Sequence, residues 1–241
     1  MKSNITISSL SLKNEIKEVF LSDGSRFTSD VVILSPGGRS RTIGVPGEEE
    51  FKGKGISYCA TCDGDFFTDK EIIVVGGGNS ALEEAVSLTK YASKVTVVHQ
   101  FDHFQAFEHA VEEAKQNPKI HFIMESVISK FYGAEKLESV DIKNLKTGQN
   151  QNFKIDGTFI FIGYVPNTEF LKNKVELNKW GEIVVKPDMS TNIEGVFAAG
   201  DSISKRFRQV TTAVAEGTIA ALSASGYLNE LKIKQKDLIT A

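Results

Sequence analysis

At 241 residues, with 41% hydrophobic and 24% charged side chains, the chain has the composition of a folded protein of one large or two ordinary domains, which excludes disorder and collagen-like repeats. A formal charge of −3 gives no electrostatic reason for nucleic acid or an anionic membrane as partner. No apolar run reaches the roughly 18 to 20 residues of a membrane helix, and Met1-Lys2-Ser3-Asn4 lacks a signal peptide's apolar core, so a cytoplasmic protein is expected.

In chain order, residues 16–34 read strand, Asp23-Gly24 turn and strand, the second closing as Val31-Val32-Ile33-Leu34, which predicts a β-hairpin. Breakers from Pro36 to Gly55 mark a linker, with a domain boundary near residue 46. A Cys pair then leads into the apolar strand 71–75, a glycine turn, a helix over 80–91, a strand over 95–99, a helix over 104–116 and a strand over 120–124. That alternation predicts a doubly wound parallel sheet. Residues 126–163 alternate in period two around Gly133 and Thr147-Gly148 and predict an antiparallel meander laid on the sheet. A strand over 195–199, Gly200-Asp201 and a helix over 208–228 follow, and the Lys-rich tail from Lys232 is expected to fray. The opening hairpin and the closing strand and helix are each too small to fold alone. One domain of residues 1–45 and 167–241, interrupted by another of 46–166, is therefore expected.

The only two cysteines are spaced Cys59-Ala60-Thr61-Cys62. In a reducing compartment such a pair is catalytic or metal-binding rather than a structural staple. Two intervening residues let one thiolate attack a partner's disulfide while the other resolves the mixed disulfide. A zinc site is disfavoured, since no second Cys pair exists and His99, His103, His109 and His121 lack finger spacing; no metal is expected. Asp63 follows directly, either as proton donor to the leaving thiolate or as a plain turn residue before Gly64. Gly76-Gly77-Gly78-Asn79-Ser80-Ala81, between strand and helix, matches the dinucleotide fingerprint at Gly76, Gly78 and Ala81. The end of the next strand reads His99-Gln100-Phe101-Asp102-His103-Phe104-Gln105, with neither an acid for a ribose nor an arginine for a 2′-phosphate immediately after it.

Taken together, Cys59 to Gly64, Gly76 to Ala81 with Glu83-Glu84-Ala85, Phe161-Ile162-Gly163 with Pro166-Asn167-Thr168, and Val196 to Asp201 resemble the successive landmarks of low-molecular-weight thioredoxin reductases. The resemblance implies an α/β protein of two Rossmann-like domains, one binding FAD and one of the NAD(P) type. It implies that Cys62 lies nearest the flavin, that Cys59 attacks the thioredoxin disulfide and that Asp63 donates the proton. It also places Gly200 and Asp201 on the FAD ribityl and phosphate region and Arg208, Gln209 and Val210 over the flavin ring, where a helix dipole favours negative charge on the reduced ring. Without it, Asp201 reads as a strand-end cap. The Gln100, Phe101 and Gln105 side chains stand where NADPH-dependent members carry arginines. This pattern is similar to clostridial ferredoxin-dependent flavin thioredoxin reductases, so ferredoxin is the expected donor, with weak NADH binding as the alternative. The family's opening βαβ unit has no counterpart, so the FAD domain is expected to be discontinuous and incomplete. Thioredoxin as partner and a homodimer are further expectations. The rival expectation is a flavin-deficient remnant acting as a thiol-exchange or binding module.

Overall fold

The computed structural model describes residues 2–240, and side chains through residue 234. The chain divides into two compact units, Met1–Arg39 with Tyr164–Ala241, and Ser40–Gly163. The first border falls ahead of residue 46 because Ile43 and Val45 pack into the core of the second unit.

The Ser40–Gly163 unit is built on a five-stranded parallel sheet in the order Ile56–Ser57, Gly157–Ile160, Glu71–Val75, Lys94–Val98, Ile120–Ile123. Its strands are continuous apolar runs because both faces are covered. Period two then sorts them. Ile72, Val74, Val95, Val97 and Phe159 pack under the helices Asn79–Leu88 and Glu108–Gln116, while Ile73, Val75, Val98 and Ile160 pack under the other layer. That layer is an antiparallel meander of Ser126–Gly133, Leu137–Asn144 and Asn150–Lys154. The predicted meander included residues 157–160, and the structure corrects this. All four residues of Gly157–Ile160 are buried, which suits an inner position between two parallel partners rather than a half-exposed antiparallel edge.

Glu48, in the short helix Glu48–Phe51, is a buried carboxylate. It accepts the amides of Ile43 (3.0 Å) and Gly44 (2.6 Å) and the hydroxyl of Tyr58 (2.8 Å), the residue before Cys59. Burial first, and Glu48 second, push the Tyr58 phenol well above the usual range, so it stays a donor. Glu48→Ala strands three donors and is expected to cost about 3 kcal/mol or more in urea denaturation. A loss under about 1 kcal/mol would show that water replaces the carboxylate.

In the other unit, Ile7–Ser11, Lys17–Leu21 and Arg26–Ser29 form an antiparallel sheet. The Asp23-Gly24 hairpin is present, but its second strand ends at Ser29. Val32–Leu34 pairs in parallel with Val196–Ala198 instead, because Leu34 belongs with Val196, Ala198, Leu171 and Ile183 in this unit's core while Arg26–Ser29 is exposed throughout. The strand Ile7–Ser11 lay outside the predicted elements. The last helix starts at Val210 and runs to Thr240, through the Lys-rich tail that was expected to fray. No Gly or Pro interrupts residues 227–240, and Leu, Lys, Glu and Gln there are strong helix formers. Ala220 and Ala224 bury against Phe197 and Ala199. Among the described residues no helix is long and apolar enough to cross a membrane.

Candidate active site

The edge strand Ile56–Ser57 of the parallel sheet delivers the chain to Cys59, the N-cap of a single helical turn, Ala60–Asp63. Cys59 and Cys62 form a disulfide with Cα atoms 5.3 Å apart. The Cys62 amide donates to Cys59 Sγ at 3.2 Å, and the Asp63 amide to the Cys59 carbonyl at 3.2 Å. An N–H aimed at Cys59 Sγ favours negative charge on that sulfur. Cys62 is exposed, and Cys59 and Asp63 are half-buried. The turn continues into Gly64–Phe67, where Phe67 anchors edge-on against Phe159 at 5.1 Å and Phe66 stays exposed. The structure therefore brings Cys59, Cys62 and Asp63 together. It adds Ser57, which the sequence reading missed: its hydroxyl meets Asp63 Oδ2 at 2.6 Å and accepts the Cys59 amide at 3.1 Å. A serine two residues before a thiol carries no pattern that marks it.

The glycine turn of the same unit links the strand Glu71–Val75 to the helix Asn79–Leu88. Gly76 has φ +138°, and a Cβ there would collide with the Phe161 carbonyl oxygen. Ala81 is fully buried beside it, as helix-to-strand packing requires. Gly78, the N-cap, faces open space. The space over Gly77 is filled by the His99 ring, which is buried, stacks on Phe104 at 5.8 Å and has no hydrogen-bond partner for Nε2 among the described residues. Burial, the largest influence, lowers the His99 pKa and keeps the ring neutral. Gln100, Phe101 and Gln105 are exposed, and the Gln105 amide donates to the Gly77 carbonyl at 2.8 Å.

In the other unit, Gly200 takes φ +81° and Asp201 follows the strand Val196–Ala198. Arg208 and Gln209 precede the last helix and Val210 is its first residue. The Arg208 guanidinium pairs with Glu182, lies 4.5 Å over the Tyr164 ring and reaches the Asp201 carbonyl with Nε at 3.4 Å. Lys205, largely buried, sits between Asp201 Oδ1 (3.2 Å) and Glu216 Oε2 (2.8 Å), and Glu216 also accepts the Gly200 amide at 3.0 Å. The Lys205 ammonium is at ion-pair distance from Asp201 Oδ1 without the alignment of a hydrogen bond, so that oxygen has a charge partner but no donor. Sequence reading missed Tyr164, Glu182, Lys205 and Glu216; only the four-residue step from Asp201 to Lys205 was there to be seen.

A Cys-x-x-Cys disulfide held beside a carboxylate on a nucleotide-type parallel sheet is the arrangement of a disulfide oxidoreductase. The family model described as pyridine nucleotide-disulphide oxidoreductase matches residues 3–217. Similar proteins include a 34.2 kDa protein of a rubredoxin operon in Clostridium pasteurianum, 44% identical over 89% of this chain and 72% of the relative. The thioredoxin reductase of Peptoclostridium acidaminophilum is 46% identical over 90% of this chain and 70% of its own length. Among solved structures, thioredoxin reductase from Streptococcus pyogenes superposes with TM-score 0.89 at 40% identity, covering 93% of this chain and 74% of that one. The chain belongs to the pyridine nucleotide-disulphide oxidoreductase family, among its thioredoxin reductases. That membership implies a flavin. The residues fit one: Asp201 Oδ1 and the Tyr164 hydroxyl are buried polar atoms with no hydrogen-bond partner among the described residues, as a bound polyol or ring would leave them in its absence.

Proposed function

We propose that the chain is a flavin-dependent reductase of thioredoxin-type disulfides that takes its electrons, through FAD, from reduced ferredoxin rather than NADPH. The observation that carries the redox half is the Cys59–Cys62 disulfide with Asp63 in the same helical turn. When bound, the flavin supplies the two electrons that open this disulfide. Gly200 and Asp201 would hold its ribityl and phosphate region, and Arg208, Gln209 and Val210 would lie over the ring at the start of a helix. The Cys59 thiolate then attacks one sulfur of the partner disulfide. That bond breaks as the mixed disulfide forms, and the departing thiolate takes a proton from Asp63. Cys62 attacks Cys59 Sγ and restores the intramolecular disulfide, its thiol proton passing to the second departing partner sulfur, so the partner gains two electrons and two protons. The Cys62 amide at Cys59 Sγ supports Cys59 as the attacking thiol. A second reading, with Cys62 attacking, rests on its greater exposure. The same proposal places the protein in the cytoplasm as a homodimer.

The donor half rests on the neutral Gln100, Phe101 and Gln105. Forgoing charge-assisted bonds to a 2′-phosphate at these positions costs about 3 kcal/mol or more, on the order of a hundredfold in affinity. With FAD added and oxygen excluded, reduced ferredoxin is expected to bleach the flavin and generate two thiols per chain, while NADPH at equal concentration does so at least about a hundredfold more slowly. Equal rates would overturn the donor assignment. A colourless chain that still exchanges thiols would remove the flavin half alone.

A further inference from the structure

We propose that Ser57 is a positioning residue for thiol exchange, its hydroxyl locking the Asp63 carboxylate to the backbone amide of Cys59. The inference rests on the reading of Asp63 as proton donor. Ser57 is buried, and its strand is held in the parallel sheet through Ile56 opposite Thr158 and Ser57 opposite Phe159. It is therefore fixed by the sheet and not by the loop that carries the thiols.

A serine hydroxyl has one proton to give. Asp63 Oδ2 at 2.6 Å takes it; the Cys59 carbonyl, at 3.4 Å, is a poor competitor. The lone pairs of the same oxygen accept the Cys59 amide at 3.1 Å. One atom thus joins the acid to the N-cap thiol residue, and Asp63 Oδ1 remains for the moving proton. Ala60–Asp63 is a single turn, too short to hold a side chain still by its own hydrogen bonds. Without Ser57 the Asp63 side chain regains its rotamers, and most of them carry the carboxyl out of reach of a departing sulfur.

Proton delivery matters in proportion to the basicity of the thiolate that leaves. The full chain, reduced chemically and freed of reductant, is mixed with glutathione disulfide, whose aliphatic thiolate needs a proton, or with the aromatic disulfide dithiobis(nitrobenzoate), whose thiolate does not. In both cases Cys59 and Cys62 are oxidised by two electrons; glutathione disulfide is reduced to two thiols, and the aromatic disulfide to two thiolates while the protons of the dithiol go to solvent. Asp63→Asn is expected to lower the glutathione-disulfide rate on the order of a hundredfold relative to the aromatic rate. Ser57→Ala is expected to lower the same ratio about tenfold, Ser57→Thr to restore it, and Ser57→Ala added to Asp63→Asn to cost nothing further. A Ser57→Ala that slows both disulfides equally, or whose effect adds in full to that of Asp63→Asn, makes Ser57 structural and overturns the proposal. If Asp63→Asn leaves the ratio unchanged, the reading of Asp63 as acid falls first. Should Ser57→Ala fail to fold, Ser57→Val set against Ser57→Thr carries the same comparison, since Val has the shape of Thr without the hydroxyl.

Discussion

Cys62→Ser is expected to accumulate a stable mixed disulfide with a thioredoxin-type substrate, while Cys59→Ser accumulates none and both variants lose turnover entirely. The asymmetry follows from the two chemical steps. Attack needs only the first thiolate, and resolution needs the second, so removing the resolving sulfur leaves the covalent complex without an exit. The Cys62 amide lies 3.2 Å from Cys59 Sγ and favours charge there, which supports the proposed role of Cys59 as the attacking atom. Intact-mass measurement after non-reducing separation reads the outcome directly. Trapping by Cys59→Ser alone would reverse the roles and favour the more exposed Cys62; equal trapping by both would dissolve the assignment.

Gly76→Ala is expected to destabilise the chain by about 3 to 5 kcal/mol, whereas Gly78→Ala costs about 1 kcal/mol or less. Both belong to the dinucleotide fingerprint, yet only one is sterically fixed. At Gly76 a φ of +138° is costly for any side chain, and the new Cβ would meet the Phe161 carbonyl oxygen and, at 2.9 Å, the Ala81 Cβ, backbone and core that cannot yield. At Gly78 φ is −91° and nothing lies within 4 Å, so the fold itself does not require a glycine there. Urea denaturation of the two variants separates these roles. A Gly76→Ala loss below about 1 kcal/mol would mean that the turn rearranges.

Several fold elements were legible because one local rule decided each of them. The strand Glu71–Val75, the helix Asn79–Leu88 and the strand Lys94–Val98 follow one another as hydrophobic period and the glycine turn demand. The errors arose where partner and not pattern decides. Residues 32–34 continue the apolar run of the opening hairpin in sequence but pair with Val196–Ala198, far along the chain. Residues 157–160 extend the meander's alternation but slot into the parallel sheet. Nothing local distinguishes a strand's neighbours.

The candidate site divides in the same way. The sequence by itself supplied the residue types: a Cys-x-x-Cys pair with an adjoining acid, a glycine turn between strand and helix, and no arginine immediately after the next strand. Each is a matter of residue type at short spacing, which the covalent chain fixes. Only the tertiary structure decided which atoms hold those groups in place. Ser57 reaches Asp63 because a helical turn folds back over the sheet edge, His99 fills the face of Gly77 from the next strand, and Glu216 meets Lys205 and the Gly200 amide from the first turns of the last helix. Hydrogen bonds and close contacts depend on distances of a few ångströms between residues the chain does not place side by side, and those distances exist only after the sheet and helices have packed.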